Sequence, residues 1–203
     1  MQFGIESLLN RPEALGIRPI KIKFHIHPER DPGCFHRSDL FLQPFHKLFK
    51  HAIVVFDRQG CGQQQNPREE LEKIVTVNLS KAGWDGRAST IVIDPELESW
   101  VFSDSPELDI AIGWAGKEPS LRSWLAEKGF IAYGETKPAQ PKEALESALK
   151  HAKIPRSSSL YSQLAQKISF RRCNDPSFLQ FKAILQKRFS IEDNNYISLN
   201  NNL

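Results

Sequence analysis

The sequence predicts an α/β fold, with a short and mostly parallel sheet flanked by helices and a helical C-terminal half. Two short apolar runs, at residues 52–56 and 90–93, are rich in Val and Ile. Such runs are typical of strands buried on both faces of a parallel sheet. A helical pattern lies between them, and a strand–helix–strand unit packs its helix on one face of the sheet.

The N-terminal region predicts a helix, a strand, a loop and a second helix, in that order. Apolar residues on one helical face indicate the first helix, at residues 3–15. Apolar and polar residues alternate at 20–27, which is typical of a half-buried strand near a sheet edge. The stretch 28–39 is rich in charge, Pro and Gly and predicts a loop, with Ser38 or Asp39 as the cap of the next helix.

The rest of the chain is predicted to be largely helical. Pro67 begins a helix that runs to about residue 81. Further helices are expected at about residues 95–102, 120–129, 142–151, 158–168 and 175–189. We expect one domain over residues 1–190, with a sheet core at about 17–104, a helical part at about 105–190 and a flexible tail at 191–203.

The composition narrows the class of protein. The chain of 203 residues suits one domain, and its formal net charge of +3 does not by itself indicate a nucleic-acid-binding protein. Its three cysteines include no CxxC pair, which disfavours a thiolate zinc site and a disulfide framework. No apolar stretch is long enough to span a bilayer and no signal peptide is recognisable, so we expect a cytoplasmic protein without a membrane partner.

Acidic residues follow both predicted strands. Asp57 ends the first strand and Asp94 ends the second, with Glu96 and Glu98 directly after it. Because the carboxyl ends of parallel strands meet at one edge of a sheet, we expect these four carboxylates to project into one crevice. Four acids so close repel one another unless a cation, a proton or a basic group intervenes. The cofactor they suit is Mg²⁺, which binds carboxylates and usually also phosphate.

The same acids also have structural interpretations. Asp94 precedes Pro95 and is favoured as the N-cap of a helix, with Glu96 and Glu98 placed well for the helix dipole. For Asp57 we favour a functional interpretation, because this residue ends an apolar strand directly before a Gly-rich loop.

Several basic residues are candidates for contact with phosphate or another anion. They are Arg58, Lys137, Lys142, Arg171 and Arg172. The two adjacent arginines precede a predicted helix N-terminus, which is a favourable place for an anion. Arg58 has an alternative as the ion-pair partner of Asp94 or Glu98, and the lysines have an alternative as solvated surface residues.

Histidine and cysteine give weaker signals. His25 and His27 share one face of their predicted strand, and we favour a solvent-exposed edge over a metal pair. Cys61 is a single thiol on the loop after the first predicted strand, and its use as a nucleophile is disfavoured without a neighbouring histidine. That loop also lacks the Gly-Lys-Ser of a phosphate-binding loop.

Five stretches of the chain carry a family resemblance. They are HPERDPGCFHRSDLFLQPF, AIVVFDRQGCG, IVIDPELESWVFSDSPELD, KPAQPKEALESAL and RSSSLYSQLAQKISFRRCNDPSFLQFK. In this order they resemble a family of small bacterial toprim-like proteins, over residues 3–189. The resemblance implies a toprim-like Rossmannoid sheet whose acids hold Mg²⁺. It matches Asp57 to the second acidic position of the family, and Asp94, Glu96 and Glu98 to its E-x-E-W position.

The resemblance also implies a component of a prokaryotic anti-phage defence system. The implied partners are other proteins of that system, an ATPase among them, and nucleic acid. In the catalytic interpretation Asp57 and Glu96 or Glu98 hold Mg²⁺ for phosphodiester hydrolysis. The alternative is a non-catalytic binding or adaptor subunit of a larger complex.

Two departures from the family pattern make the non-catalytic alternative credible beside the nuclease-like function. The pattern has an acid after a strand that precedes the first helix, and no such strand is recognisable here. Its usual Asp-x-Asp is Asp57-Arg58-Gln59 in this chain, which lacks the second acid. A phosphatase or transferase acting on a small molecule is a third possibility, since a fold does not fix chemistry.

Overall fold

The structure is a computed structural model that describes residues 1–102, 106–167 and 172–191. The predicted α/β class is confirmed. The chain divides into two compact units. One, here called the sheet unit, is Phe24–Leu97, and the other, the helical unit, combines Met1–Lys23 with Glu98–Leu203.

The secondary structure of the described residues consists of two strands and a larger number of helices. The strands are β1 (Ala52–Asp57) and β2 (Ala88–Ile93). The helices are α1 (Gln2–Leu9), α2 (Pro12–Leu15), α3 (Arg30–Leu42), α4 (Arg68–Leu79), α5 (Glu98–Val101), α6 (Pro106–Ala111), α7 (Leu121–Glu127), α8 (Pro141–Ala152), α9 (Ser158–Lys167) and α10 (Pro176–Arg188).

The two strands of the sheet unit pair in parallel, as the apolar runs predict. Asp57 of β1 stands opposite Ile93 of β2. Helices α3 and α4 pack against the strands, where Phe35 and Leu71 join Phe56 in one apolar cluster. Burial of these side chains supplies the main stabilising contribution for the unit, since buried apolar surface is the dominant favourable term in folding.

The prediction for α4 is confirmed to within two residues at each end. Pro67 occupies its N-cap position rather than its first turn. The helix continues into a π-helical turn over Ser80–Trp84, in which Gly83 has φ of 92°. A positive φ of this kind suits glycine, and the helical path ends there.

The strand predicted at residues 20–27 is wrong, because this segment pairs with neither strand of the described sheet. Its histidines rather than its isoleucines face inwards: Ile22 and Ile26 are 43% and 50% exposed, whereas His27 is 8% exposed. The alternation of residues at 20–27 therefore does not identify which side chains are buried.

The loop predicted at residues 28–39 is also wrong, because α3 covers most of it. Pro32 falls in the first turn of this helix, where the missing N–H costs nothing. Gly33 serves close packing, since a Cβ built on it would lie 1.9 Å from Nδ1 of His27. The backbone is non-helical at Arg37, with φ of −141°, so α3 consists of two helical segments joined at a kink, and the expected caps Ser38 and Asp39 lie directly after that kink.

The helical unit has an apolar core of its own. Leu125, Leu145, Leu149 and Leu164 are at most 2% exposed and belong to one cluster. The helices predicted near 120–129, 142–151, 158–168 and 175–189 are confirmed as α7, α8, α9 and α10. The helix predicted at 95–102 is shorter, since α5 begins only at Glu98, and α6 was not predicted.

The expected tail, residues 191–203, lies outside the described residues except for Ile191. None of the helices in the described parts of the chain is long and apolar enough to cross a membrane.

Candidate functional site at the carboxyl end of the sheet

The carboxyl ends of β1 and β2 meet at one edge of the sheet unit, as expected for a parallel pair. The backbone N–H of Arg58 donates to the carbonyl of Ile93 at 2.8 Å, and that of Gln59 donates to the carbonyl of Pro95 at 2.8 Å. The chain that leaves β2 is therefore tied to the chain that leaves β1.

Asp57 uses its carboxylate to close this edge. Its Oδ1 accepts the backbone N–H of Leu97 at 3.0 Å. Its own backbone N–H donates to Oδ1 of Asp31, which lies on α3, at 3.3 Å. Asp57 thus joins the end of β1 to the segment after β2, and Asp31 joins α3 to the end of β1.

Asp94 pairs with Arg58, which was one of the predicted alternatives. Nε of Arg58 lies 2.8 Å from Oδ1 of Asp94. Nη1 of the same guanidinium donates to the carbonyls of Gln64 and Asn66 at 3.2 and 3.5 Å. The cap interpretation of Asp94 is wrong, because α5 begins only at Glu98. Arg58 therefore binds both the Gly-rich loop that follows β1 and the residue that follows β2.

Glu98 belongs to the helical unit and is 4% exposed. Its Oε1 accepts hydrogen bonds from the hydroxyl of Tyr161 and from Nη2 of Arg156, the latter at 3.3 Å. Burial and then the hydrogen bond to Glu98 raise the pKa of Tyr161 well above its usual value. Glu96, the last residue of the predicted acidic set, belongs to the sheet unit and is 6% exposed.

These carboxylates do not fit a ready-made magnesium site. Asp57 accepts a backbone N–H, Asp94 is paired with a guanidinium, and Glu98 receives two side-chain donors. Within the parts of the chain that the structure describes, no group of three or more His, Cys, Asp or Glu side chains is placed to hold a metal ion. Binding of Mg²⁺ stays a prediction for experiment.

The basic residues that were predicted to contact an anion have different surroundings. Nζ of Lys137 is 3.5 Å from Oδ2 of Asp175 and donates to the carbonyl of Ser99 at 3.3 Å. Lys142 is half-buried in the first turn of α8, and Arg172 is exposed. The remaining candidate, Arg171, lies outside the described residues.

Asp175 organises the helical unit around Trp100, which lies two residues after Glu98. It caps α10 by accepting the N–H groups of Ser177 and Phe178 at 3.0 and 3.4 Å. It also accepts the hydroxyl of Ser177 at 2.6 Å, and that oxygen accepts Nε1–H of Trp100 at 2.8 Å. Trp100 is therefore a structural centre of the helical unit.

The solvent-exposed interpretation of His25 and His27 is wrong. The ring of His25 lies 4.2 Å from that of Phe45, and the ring of His27 lies 4.8 Å from that of Phe41. Nδ1 of His27 accepts the backbone N–H of Glu29 at 3.1 Å. The aromatic residues of α3 and its C-terminal turn thus draw both imidazoles inwards.

The cysteines are poorly placed for nucleophilic chemistry. Cys61 is fully buried. Burial and then the charge of Asp31 raise the pKa of Cys34 to about 11, and burial also raises the pKa of Cys173. A thiol that stays protonated at neutral pH is a weak nucleophile.

Two acids that the sequence analysis missed close the outer edges of the sheet. Ile93 accepts a bond from the β1 side, so in a parallel pair the N–H of its neighbour Val92 points away from β1. Oε1 of Glu72, on α4, accepts that N–H at 3.0 Å. Asp31 does the same for Asp57 at the other edge. The signal for Glu72 was its position on the buried face of α4, directly after Leu71.

The fold and site together define a small α/β protein in which helix carboxylates bind one backbone N–H at each edge of the described two-stranded sheet, and Asp57 binds another at its carboxyl end. Comparison of the chain with family models, curated proteins and solved structures gives no match.

Proposed function

We propose that this chain is a non-catalytic binding subunit of a prokaryotic anti-phage defence complex, built on a reduced toprim-like sheet. One observation carries the non-catalytic part: the acids at the carboxyl end of the sheet are engaged within the protein. Asp57 holds the N–H of Leu97, and Asp94 holds Arg58. An ion at this edge would have to share Asp57 with the N–H of Leu97 and to compete with the guanidinium of Arg58 for Asp94. The defence assignment is supported by the five stretches that resemble the toprim-like family.

The proposed partners are other proteins of the defence system, including an ATPase. A binding subunit needs a folded scaffold rather than a set of poised acids, and the networks around Glu98 and Asp175 supply such a scaffold. Co-purification of the tagged protein with the products of neighbouring genes tests this part of the proposal. Recovery of the protein alone, under conditions in which those products are expressed and folded, would contradict it.

Two substitutions of Asp57 test the non-catalytic part. Asp57→Asn keeps an oxygen that can accept the N–H of Leu97, so its free energy of unfolding should stay close to the wild-type value. Asp57→Ala removes the acceptor and should lower the free energy of unfolding by about 1–3 kcal/mol. Calorimetric titration of Mg²⁺ or Mn²⁺ into the wild-type protein should show no binding heat, and plasmid DNA should stay intact.

A magnesium-dependent nuclease is the second candidate function. The observation that favours it is the parallel pairing of β1 and β2, which brings Asp57 and Asp94 to the same edge of the sheet. It predicts metal-dependent cleavage by the wild-type protein, with both cleavage and binding heat lost in Asp57→Asn and Asp57→Ala alike. That result would overturn the non-catalytic proposal.

A further inference from the structure

The exposed face of α4 carries a stripe of four residues with a self-complementary order. The residues are Glu70, Ile74, Val77 and Lys81. Their spacing of four, three and four residues places them on one side of a helix, in the pattern of a coiled-coil seam. The non-helical backbone of the following turn begins only at Ala82, so Lys81 still continues the helical path.

This stripe faces away from the core of the sheet unit. Leu71, Val75 and Leu79 are the apolar side chains of α4 that are buried. Ile74 and Val77 are 37% and 44% exposed. These two neighbouring side chains form a small apolar patch on an otherwise polar helix face, which a partner can cover.

The two charged ends of the stripe are available for such a partner. Glu70 and Lys81 are both exposed. Neither takes part in any of the ion pairs found among the described residues. One apolar pair is therefore bordered by an acid at one end and by a base at the other.

We propose that this face of α4 binds the same face of a second copy of this chain, with the two helices antiparallel. A two-fold axis between Ile74 and Val77 would pair Glu70 of one copy with Lys81 of the other, and would pair Ile74 with Val77. The contact is isologous, which is the commonest form of symmetric dimer. It goes beyond the proposed function and does not depend on it.

The charges on the stripe disfavour a parallel pairing of the two α4 helices. A parallel pair of α4 helices in register would place Glu70 against its own copy and Lys81 against its own copy, and like charges in contact are unfavourable. In the antiparallel arrangement Lys73 faces the uncharged Asn78, so no like pair arises at the flank. The order of the four residues thus selects one orientation.

The small area of the stripe leads us to expect a low affinity between the two copies. One helical stripe of four residues is smaller than a standard interface of about 800 Å² per partner. We therefore expect a weak dimer, with a dissociation constant in the micromolar to millimolar range. Sedimentation velocity over a series of protein concentrations at low salt should show a shift from monomer to dimer, and added salt should weaken it.

Charge reversal and charge exchange provide the decisive test. Glu70→Lys and Lys81→Glu each replace two attractive pairs with two repulsive ones, and each should weaken association on the order of tenfold. The double variant Glu70→Lys with Lys81→Glu exchanges the charges and should return to within about threefold of wild type. Since both side chains are exposed, the variants should fold, which their circular dichroism spectra will check.

Helix α8 offers matched controls. Glu143 stands third in α8 as Glu70 stands third in α4, and Lys150 lies near its end; both are exposed. Glu143→Lys and Lys150→Glu should leave association unchanged. A wild-type protein that stays monomeric at every concentration would overturn the proposal. So would a dimer that single reversals do not weaken, or a double variant weaker than either single one.

Discussion

A buried carboxylate at a sheet edge can accept a backbone N–H that would otherwise need a neighbouring strand. Glu72 is 8% exposed, and its Oε1 is shared between the N–H of Val92 and Nη1 of Arg68. Thr76, one turn further along α4, donates to the hydroxyl oxygen of Thr90 at 2.9 Å. One side chain of α4 thus satisfies a backbone N–H at the edge of β2, and that N–H is no longer available to pair with another strand. The second side chain binds a side chain of the same strand.

Removal of this acceptor should cost stability. In Glu72→Ala the N–H of Val92 is left buried without its acceptor, and the free energy of unfolding should fall by about 1–3 kcal/mol. Glu72→Gln keeps an oxygen in place and should lose clearly less. Denaturant unfolding measures both, and hydrogen exchange at the amide of Val92 should accelerate in Glu72→Ala only. Equal losses in the two variants would show that the charge, rather than the acceptor, matters.

The raised pKa of Cys34 makes a prediction about thiol reactivity. With a pKa of about 11 instead of 9.0, the thiolate fraction near neutral pH is about a hundredfold smaller than that of an ordinary thiol. Alkylation of Cys34 by iodoacetamide should be slow by a similar factor and should rise as pH rises towards 11. Cys34→Ser supplies the background from the other two cysteines.

Asp31→Asn isolates the electrostatic cause of that pKa. Its amide oxygen can still accept the N–H of Asp57, but the negative charge that opposes ionisation of Cys34 is gone. The pKa of Cys34 should therefore move down, and alkylation at a fixed pH below 11 should be faster than in wild type. An unchanged rate would mean that burial alone sets the pKa.

At the scale of elements, the spacing of apolar residues predicts the regular strands and helices of this chain. It fails where contacts in the tertiary structure determine the local backbone. The strands and the amphipathic helices α4 and α8 follow from spacing alone. Most of residues 28–39 is helical despite its Pro and Gly: Pro32 lies in the first turn of α3, and Gly33 permits the close approach of His27. No local pattern in the sequence encodes that contact.

The start of α10 illustrates an element whose stability rests on one side chain. Asp175→Ala removes the N-cap and the acceptor of the Ser177 hydroxyl, and should lower the free energy of unfolding by about 1–3 kcal/mol. Asp175→Asn retains a capping oxygen but loses the charge that faces Lys137, which is partly exposed, so its loss should be smaller. Thermal unfolding followed by circular dichroism compares them. A fully stable Asp175→Ala would contradict this role.

At the scale of the whole molecule, the candidate site was predictable in position but only partly in its contacts. The meeting of Asp57 and Asp94 at one sheet edge follows from two apolar runs and the rule for parallel strands. The pairing of Asp94 with Arg58 was among the predicted alternatives. The partners of Asp57 do not follow from the sequence, because Leu97 and Asp31 are reached only through the fold. The acidic stretch also crosses a boundary: Glu96 belongs to the sheet unit, whereas Glu98 belongs to the helical unit.

Removal of metal gives a test at this scale, because an ion bound only by the folded protein adds to its stability. An ion present at a hundred times its dissociation constant would contribute about 2.7 kcal/mol, which for a chain of this size raises Tm by roughly 5–10 °C. Since Asp57 and Asp94 are engaged with Leu97 and Arg58, we expect the same Tm in excess Mg²⁺ and in EDTA. Asp57→Asn should behave identically in both solutions. A rise of Tm with Mg²⁺ in wild type, absent from Asp57→Asn, would mean that the carboxylate binds the ion in spite of its backbone partner, and the non-catalytic proposal would then lose the observation that carries it.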